Sequence, residues 1–93
     1  MKLWWLSFVD NTGFLGVCIV QAPTFVGAIK ESWARNCNPG GEVSGEPIDF
    51  DQEKIPEPNR AKYYENMNIL MSQAQLKEKG FPCLTRGERD GRN

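Results

Sequence analysis

The sequence predicts an α+β domain: a three-stranded antiparallel sheet, laid out along the chain as hairpin, helix and strand, followed by two short C-terminal helices. Three observations predict it. Residues 3–9, LWWLSFV, and 14–21, FLGVCIVQ, are rich in aromatic and β-branched side chains and flank Asp10-Asn11-Thr12-Gly13, where Gly13 can supply the positive φ of a bulged hairpin turn. After Ala22-Pro23 the period changes, with Phe25, Val26, Ile29 and Trp33 at helical spacing and Lys30, Glu31 and Arg35 opposite them. Further along, capping and turn residues punctuate two short segments of helical pattern.

In the hairpin, alternation sets Trp4, Leu6 and Phe8 against Leu3, Trp5 and Val9, and Leu15, Val17 and Ile19 against Phe14, Cys18 and Val20. Both faces are apolar, whereas an antiparallel sheet with one wet face alternates apolar with polar residues. Each face therefore needs a cover. The helix expected over 23–36 supplies one; the segment around Tyr63, Tyr64, Met67 and Leu70, or a second copy of the chain, supplies the other. Because the late helices are weakly apolar and aromatic area is in excess, a homo-oligomer is expected.

Asn36 or Asn38 can take the left-handed conformation that closes the helix, and Pro39-Gly40 fits the centre of a type II turn. A third strand is then expected over 42–50, with Val43, Ile48 and Phe50 as its apolar points and Pro47 at an edge or bulge. Residues 51–58 read as a connector and 59–70, NRAKYYENMNIL, as a helix carrying Tyr63, Met67 and Leu70. Ser72-Gln73-Ala74-Gln75 has the form of a capping box, and Gly80 with Phe81-Pro82 ends the short helix it opens. Residues 1–84 form one compact domain in this reading, with 85–93 a polar, disordered tail.

Composition removes several function classes. Of 93 residues, 11 are Lys or Arg and 12 are Asp or Glu, so a formal charge of −1 provides no bulk attraction to duplex nucleic acid or to an anionic membrane. No apolar run approaches the roughly 18 residues of a membrane helix, and the opening apolar stretch stops at Asp10 without a small-residue cleavage signal, against a secretory leader. Three cysteines without a CxxC spacing encode neither a disulfide framework nor a zinc knuckle, which fits a reducing, cytoplasmic setting. Histidine is absent, and with it the commonest general base and the usual Ser/His and Cys/His nucleophile pairs. No enzyme activity and no cofactor are expected.

Four groups of residues remain as candidates for recognition. Asn38, Gly40 and Gly41 beside Lys30 or Arg35 would form a backbone nest for a small anionic, nucleotide-like ligand. Against this, phosphate loops place glycines before a helix, whereas these follow one and neighbour its carbonyls, so a turn that registers the third strand accounts for them too. Trp4, Trp5 and Trp33 would stack on a planar ligand, or serve as core and interface anchors. Asp49, Asp51 and Glu53 alternate as D-x-D-x-E and would hold a divalent ion if the segment were extended, the basis for a metal-dependent enzyme. Residues 42–57 as a whole carry six acids against one lysine, an acidic face for a basic partner protein. Cys37 near Arg35 lacks the electropositive setting of a reactive thiol, since a helix C-terminus presents partial negative charge.

With LWWLSFVD, FLGVCIVQAPTF and NPGGEV in this order, the chain resembles a family of small phage and bacterial proteins that share a WWLSF-like start, an FLGV strand and an NPGGEV turn. The likeness extends to LMSQAQLKEKGF and so covers most of residues 3–81. The resemblance implies no catalytic residue, cofactor or substrate. It implies a compact accessory protein, in the host cytoplasm if phage-borne, where interference with a host defence protein would be a use for it.

Overall fold

The hairpin is the centre of the fold. In the computed structural model, which describes residues 1–81, β1 (Lys2–Asp10) and β2 (Gly13–Ala22) pair antiparallel. The turn between them is tied by Asp10, whose carboxylate accepts from the Thr12 hydroxyl at 2.5 Å and the Thr12 amide at 2.8 Å. Both bonds favour the ionised acid and hold the Asp10 carboxyl below its ordinary range. Cys83 and the expected tail, 85–93, lie outside the described residues.

β3 (Glu42–Pro47) pairs antiparallel with the outer edge of β1. The sheet has four strands rather than the three expected, in the order β3-β1-β2-β4, because a two-residue strand, β4 (Leu70–Met71), pairs with Val17 and Cys18 of β2. The register also shifts once. Phe8 faces Gly16 but Val9 faces Phe14, so Leu15 is an extra residue in β2. This bulge turns Leu15 to the face that holds Cys18 and Val20, not to that of Val17 and Ile19 as strict alternation requires. Gly16 sits beside the bulge at φ +139°; a Cβ there would stand 2.8 Å from the Met71 carbonyl oxygen and 2.9 Å from Leu70 Cδ1. Glycine is what lets β4 approach.

The first face is covered by α1 (Phe25–Ala34), which starts at Thr24, its hydroxyl accepting from the Gly27 amide at 3.0 Å. Ala28 and Ser32, both fully buried, let the helix approach Trp4, Leu6, Phe8, Cys18 and Val20, and Phe25 meets Trp4 at 6.0 Å between ring centres. Trp4 Nε1 donates to the Ala22 carbonyl at 2.9 Å, so the indole is buried without an orphaned donor. Asn36, at φ 60°, closes the helix: the Cys37 amide donates to the Ser32 carbonyl at 3.0 Å and the Asn36 amide to that of Trp33 at 3.1 Å, the paired bonds of a Schellman turn.

The second face is covered by the rest of the same chain. Phe50, Ile55, α2 (Glu57–Glu65) and α3 (Gln73–Glu78) pack Tyr63, Met71, Leu76 and Phe81 onto Leu3, Trp5, Val17 and Ile19. Trp5, Tyr63 and Phe81 meet edge-on or tilted at 5.0–6.5 Å. α2 is shorter than the helical reading of 59–70. It stops at Glu65, Asn66 caps it by donating to the Lys62 carbonyl, and Asn68, at φ 65°, donates its amide to Ile19 and draws the chain to the edge of β2. The Ser72-Gln75 capping box forms as its sequence pattern requires, and Phe81 closes α3 on the Leu76 carbonyl.

Both apolar faces are thus covered within one copy of the chain, except at the turn end of the hairpin, where the paired Val9 and Phe14 stay exposed. Of the two covers left open by the sequence, the internal one is used over most of the second face. Where the helices leave the second face, across β1 and β3, the side chains are Ser7, Ser44 and Glu46.

Candidate functional site

The residues singled out in the sequence do not converge. Trp4 and Trp5, neighbours in β1, bury their rings on opposite faces of the sheet at 8 % and 2 % exposure, so no one ligand can meet both. Trp33, expected with Val26 on the stripe of α1 that meets the sheet, lies instead on the outer side at 58 % exposure, because the small Ala28 and Ser32 form the face that packs. With Val26, 61 % exposed seven residues earlier, it forms an apolar strip on which exposed Lys30 also lies.

The turn after α1 is a structural connection. Asn38 Oδ1 accepts from the Gly40 amide at 2.8 Å and its Nδ2 donates to the Ser32 hydroxyl at 2.9 Å, while that hydroxyl donates to the Ile29 carbonyl at 2.6 Å. Gly40 and Gly41 both have positive φ, 89° and 76°, and a Cβ on Gly41 would collide with the Val9 carbonyl. Glycine serves here to bring the start of β3 against β1. Arg35 is held by Glu31 one turn back at 2.6 Å. The Gly40 amide and the Arg35 charge that an anion nest would use are thus already engaged.

The D-x-D-x-E residues occupy a helical turn, not an extended segment. The Glu53 amide bonds to the Asp49 carbonyl at 2.9 Å, and Lys54, at φ 57°, closes the turn by letting the Ile55 amide reach the Phe50 carbonyl at 2.9 Å. At roughly 100° per residue, Asp51 points away from Asp49 and Glu53. Asp49 Oδ1 accepts from the Asp51 and Gln52 amides, Glu53 Oε2 from the Asp49 amide, and Asp51 pairs with Arg60 at 3.0 Å. Among the described residues, no group of three or more acids or cysteines is placed to hold a metal ion.

What the turn builds is a wall. Between it, the start of β1 and α2 lies a cleft of about 590 Å³, the candidate site. Leu3, Ile48 and Phe50 supply apolar surface, and Tyr64, 52 % exposed, leans on Phe50 at 6.0 Å. Glu46, Asp49, Asp51 and Glu53 supply four carboxylates against the cations Lys2 and Arg60. Arg60 holds the wall together: Nε donates to the Ile55 carbonyl at 2.8 Å, the guanidinium lies 5.4 Å from the centre of the Phe50 ring, and Asp51 takes its other end.

The acidic composition of 42–57 pointed toward this region, but the participation of Lys2, Leu3 and Tyr64 was not legible. They are brought in by the pairing of β1 with β3 and by the Ile48 amide, which extends that pairing to the Leu3 carbonyl at 2.8 Å. Comparison with protein-family models, curated proteins and solved structures finds no match to this chain. Among the described residues, no helix is long and apolar enough to cross a membrane.

Proposed function

We propose that the protein is a non-catalytic binding module that takes a basic, extended segment of a partner protein into the cleft between β1, the 49–55 turn and α2. The observation that carries this is the excess of carboxylates around a concave surface with an exposed aromatic ring. A lysine or arginine side chain can lay its methylene stem along Phe50, set its charge among the carboxylates and meet the Tyr64 face. Charge of this kind governs partner choice and encounter rate more than raw affinity.

Fluorescence anisotropy with a labelled lysine- and arginine-rich peptide tests the reading, beside a neutral peptide of equal length. Binding of the basic peptide alone is expected, weakening as salt rises and falling about five- to thirtyfold in a Glu46→Gln, Asp51→Asn double variant, since exposed charges contribute about 0.5–1 kcal/mol each. Binding that ignores both salt and neutralisation overturns the reading.

The Val26 and Trp33 strip favours a second one, association of two copies through the outer side of α1, where an exposed tryptophan is an effective anchor. Light scattering that gives the monomer mass at high micromolar concentration removes it.

A further inference from the structure

Two buried thiols remain outside these readings, and they share one core cluster. Cys18 lies on β2 opposite Leu6, facing α1, and Cys37 follows the turn that closes α1. They belong to one buried cluster with Trp4, Leu6, Phe8 and Ala28, at 0 % and 2 % exposure, and both are unbridged. The two thiols lie near enough within that cluster for each to influence the other's proton. Burial, and then the neighbouring thiol, pushes the Cys18 pKa up; burial also pushes Cys37 up, against an opposing hydrogen bond from Cys18. Neither is a nucleophile while the core is closed.

The two cysteines sit on parts of the fold held very differently. Cys18 is in a central strand bonded on both sides, by β1 and β4. Cys37 is in the connection between α1 and β3, held by the Schellman turn and the Asn38 side chain, and it ends at two glycines of positive φ. Local opening is cheapest where few contacts and irregular backbone coincide. The 36–41 connection, rather than the sheet, is therefore the part whose opening would bring Cys37, and with it the Cys18 side of the cluster, to solvent.

We infer that Cys18 and Cys37 form a disulfide site, oxidised by exchange with a small-molecule disulfide such as oxidised glutathione and locking the end of α1 to the centre of the sheet. In the open state the Cys37 thiol loses its proton to solvent, and the thiolate attacks one sulfur of the small disulfide. That S–S bond breaks, one small thiolate leaves and a mixed disulfide remains on Cys37. Cys18, deprotonated in the same open state, attacks the Cys37 sulfur and expels the second small thiolate. Two protein thiols are oxidised to one disulfide and one small disulfide is reduced to two thiols, the released protons balancing the leaving thiolates.

The test uses the full chain with Cys83→Ser, so that only this pair reacts, incubated with oxidised glutathione, quenched by alkylation and mapped by mass spectrometry. The expected product is lighter by two hydrogen atoms, links residues 18 and 37, carries no glutathione and melts on the order of 10 °C higher, an increase reversed by reductant. The Cys18→Ala variant is expected to stop at a glutathione adduct on Cys37. Glutathione retained on Cys37 while Cys18 is intact, or thiols that resist oxidation in the folded chain but react once it is unfolded in urea, overturns the inference. Either result is read on the parent chain and so stands even if Cys18→Ala fails to fold.

Discussion

Gly16→Ala is the sharpest probe of how the sheet is completed. The new methyl group would lie 2.8 Å from the Met71 carbonyl oxygen and 2.9 Å from Leu70 Cδ1, and Gly16 already holds φ +139°, a conformation that side chains rarely adopt. Relaxing φ toward the ordinary strand region flattens the bulge that turns Leu15 into the α1 core; keeping φ forces β4 away from β2. Backbone strain of this kind costs about 1–3 kcal/mol, and loss of the β4 pairing adds about 1 kcal/mol. The expected loss is therefore about 2–4 kcal/mol, out of the roughly 5–14 kcal/mol that a chain of this length has in total. At about 4–8 °C per kcal/mol, the melting temperature should fall by at least 8 °C. Near-UV circular dichroism measures the melt, and native-state hydrogen exchange reports the Leu70 and Met71 amides directly. A variant that melts within 2 °C of the parent, with both amides as protected as before, refutes the steric reasoning.

Two further outcomes are expected. Ser32→Ala removes the hydroxyl that accepts from Asn38 Nδ2, leaving that half-buried amide without its partner, and should cost about 1–2 kcal/mol in urea unfolding; a cost below about 0.3 kcal/mol would mean that Asn38 anchors nothing. The buried thiols make stability fall in alkali: the folded chain keeps both protons above pH 9, where the unfolded chain releases them, so stability is unchanged below that point and declines above it by up to about 1.4 kcal/mol per pH unit for each thiol. Cys18→Val should make the decline shallower, and an equal slope in the variant would show that Cys18 has no part in it.

Local chemistry was legible wherever it was self-contained. The Asp10–Gly13 turn, the end of α1 at Asn36 and the Ser72-Gln75 capping box each depend on residues within a few positions of one another, and each forms as read. β4 was not legible because two residues carry no period, and because Leu70 continues the helical spacing of Tyr63 and Met67 after Asn66 and Asn68 have ended the helix. The bulge escaped for a related reason: Gly16 marks a close approach, but the partner strand it admits lies more than fifty positions away. The same distinction governs the site. Acidity of 42–57 is a property of composition, whereas the convergence of Lys2, Arg60 and Tyr64 on it depends on long-range pairing. D-x-D-x-E misled because alternation has meaning only in an extended chain, and Asp49 winds that stretch by capping the amides of Asp51 and Gln52.

The hairpin, shared by two separate cores, also sets an order of events at the ribosome. Its twenty or so residues emerge before anything that shields them: α1 arrives next and shelters one side, while the other waits for Tyr63, Leu76 and Phe81. At about 5–20 residues per second, that side remains bare for several seconds of synthesis. The nascent chain is consequently stickiest well before α3 is made, an interval in which a holdase chaperone would matter more than at any later stage of the protein's life.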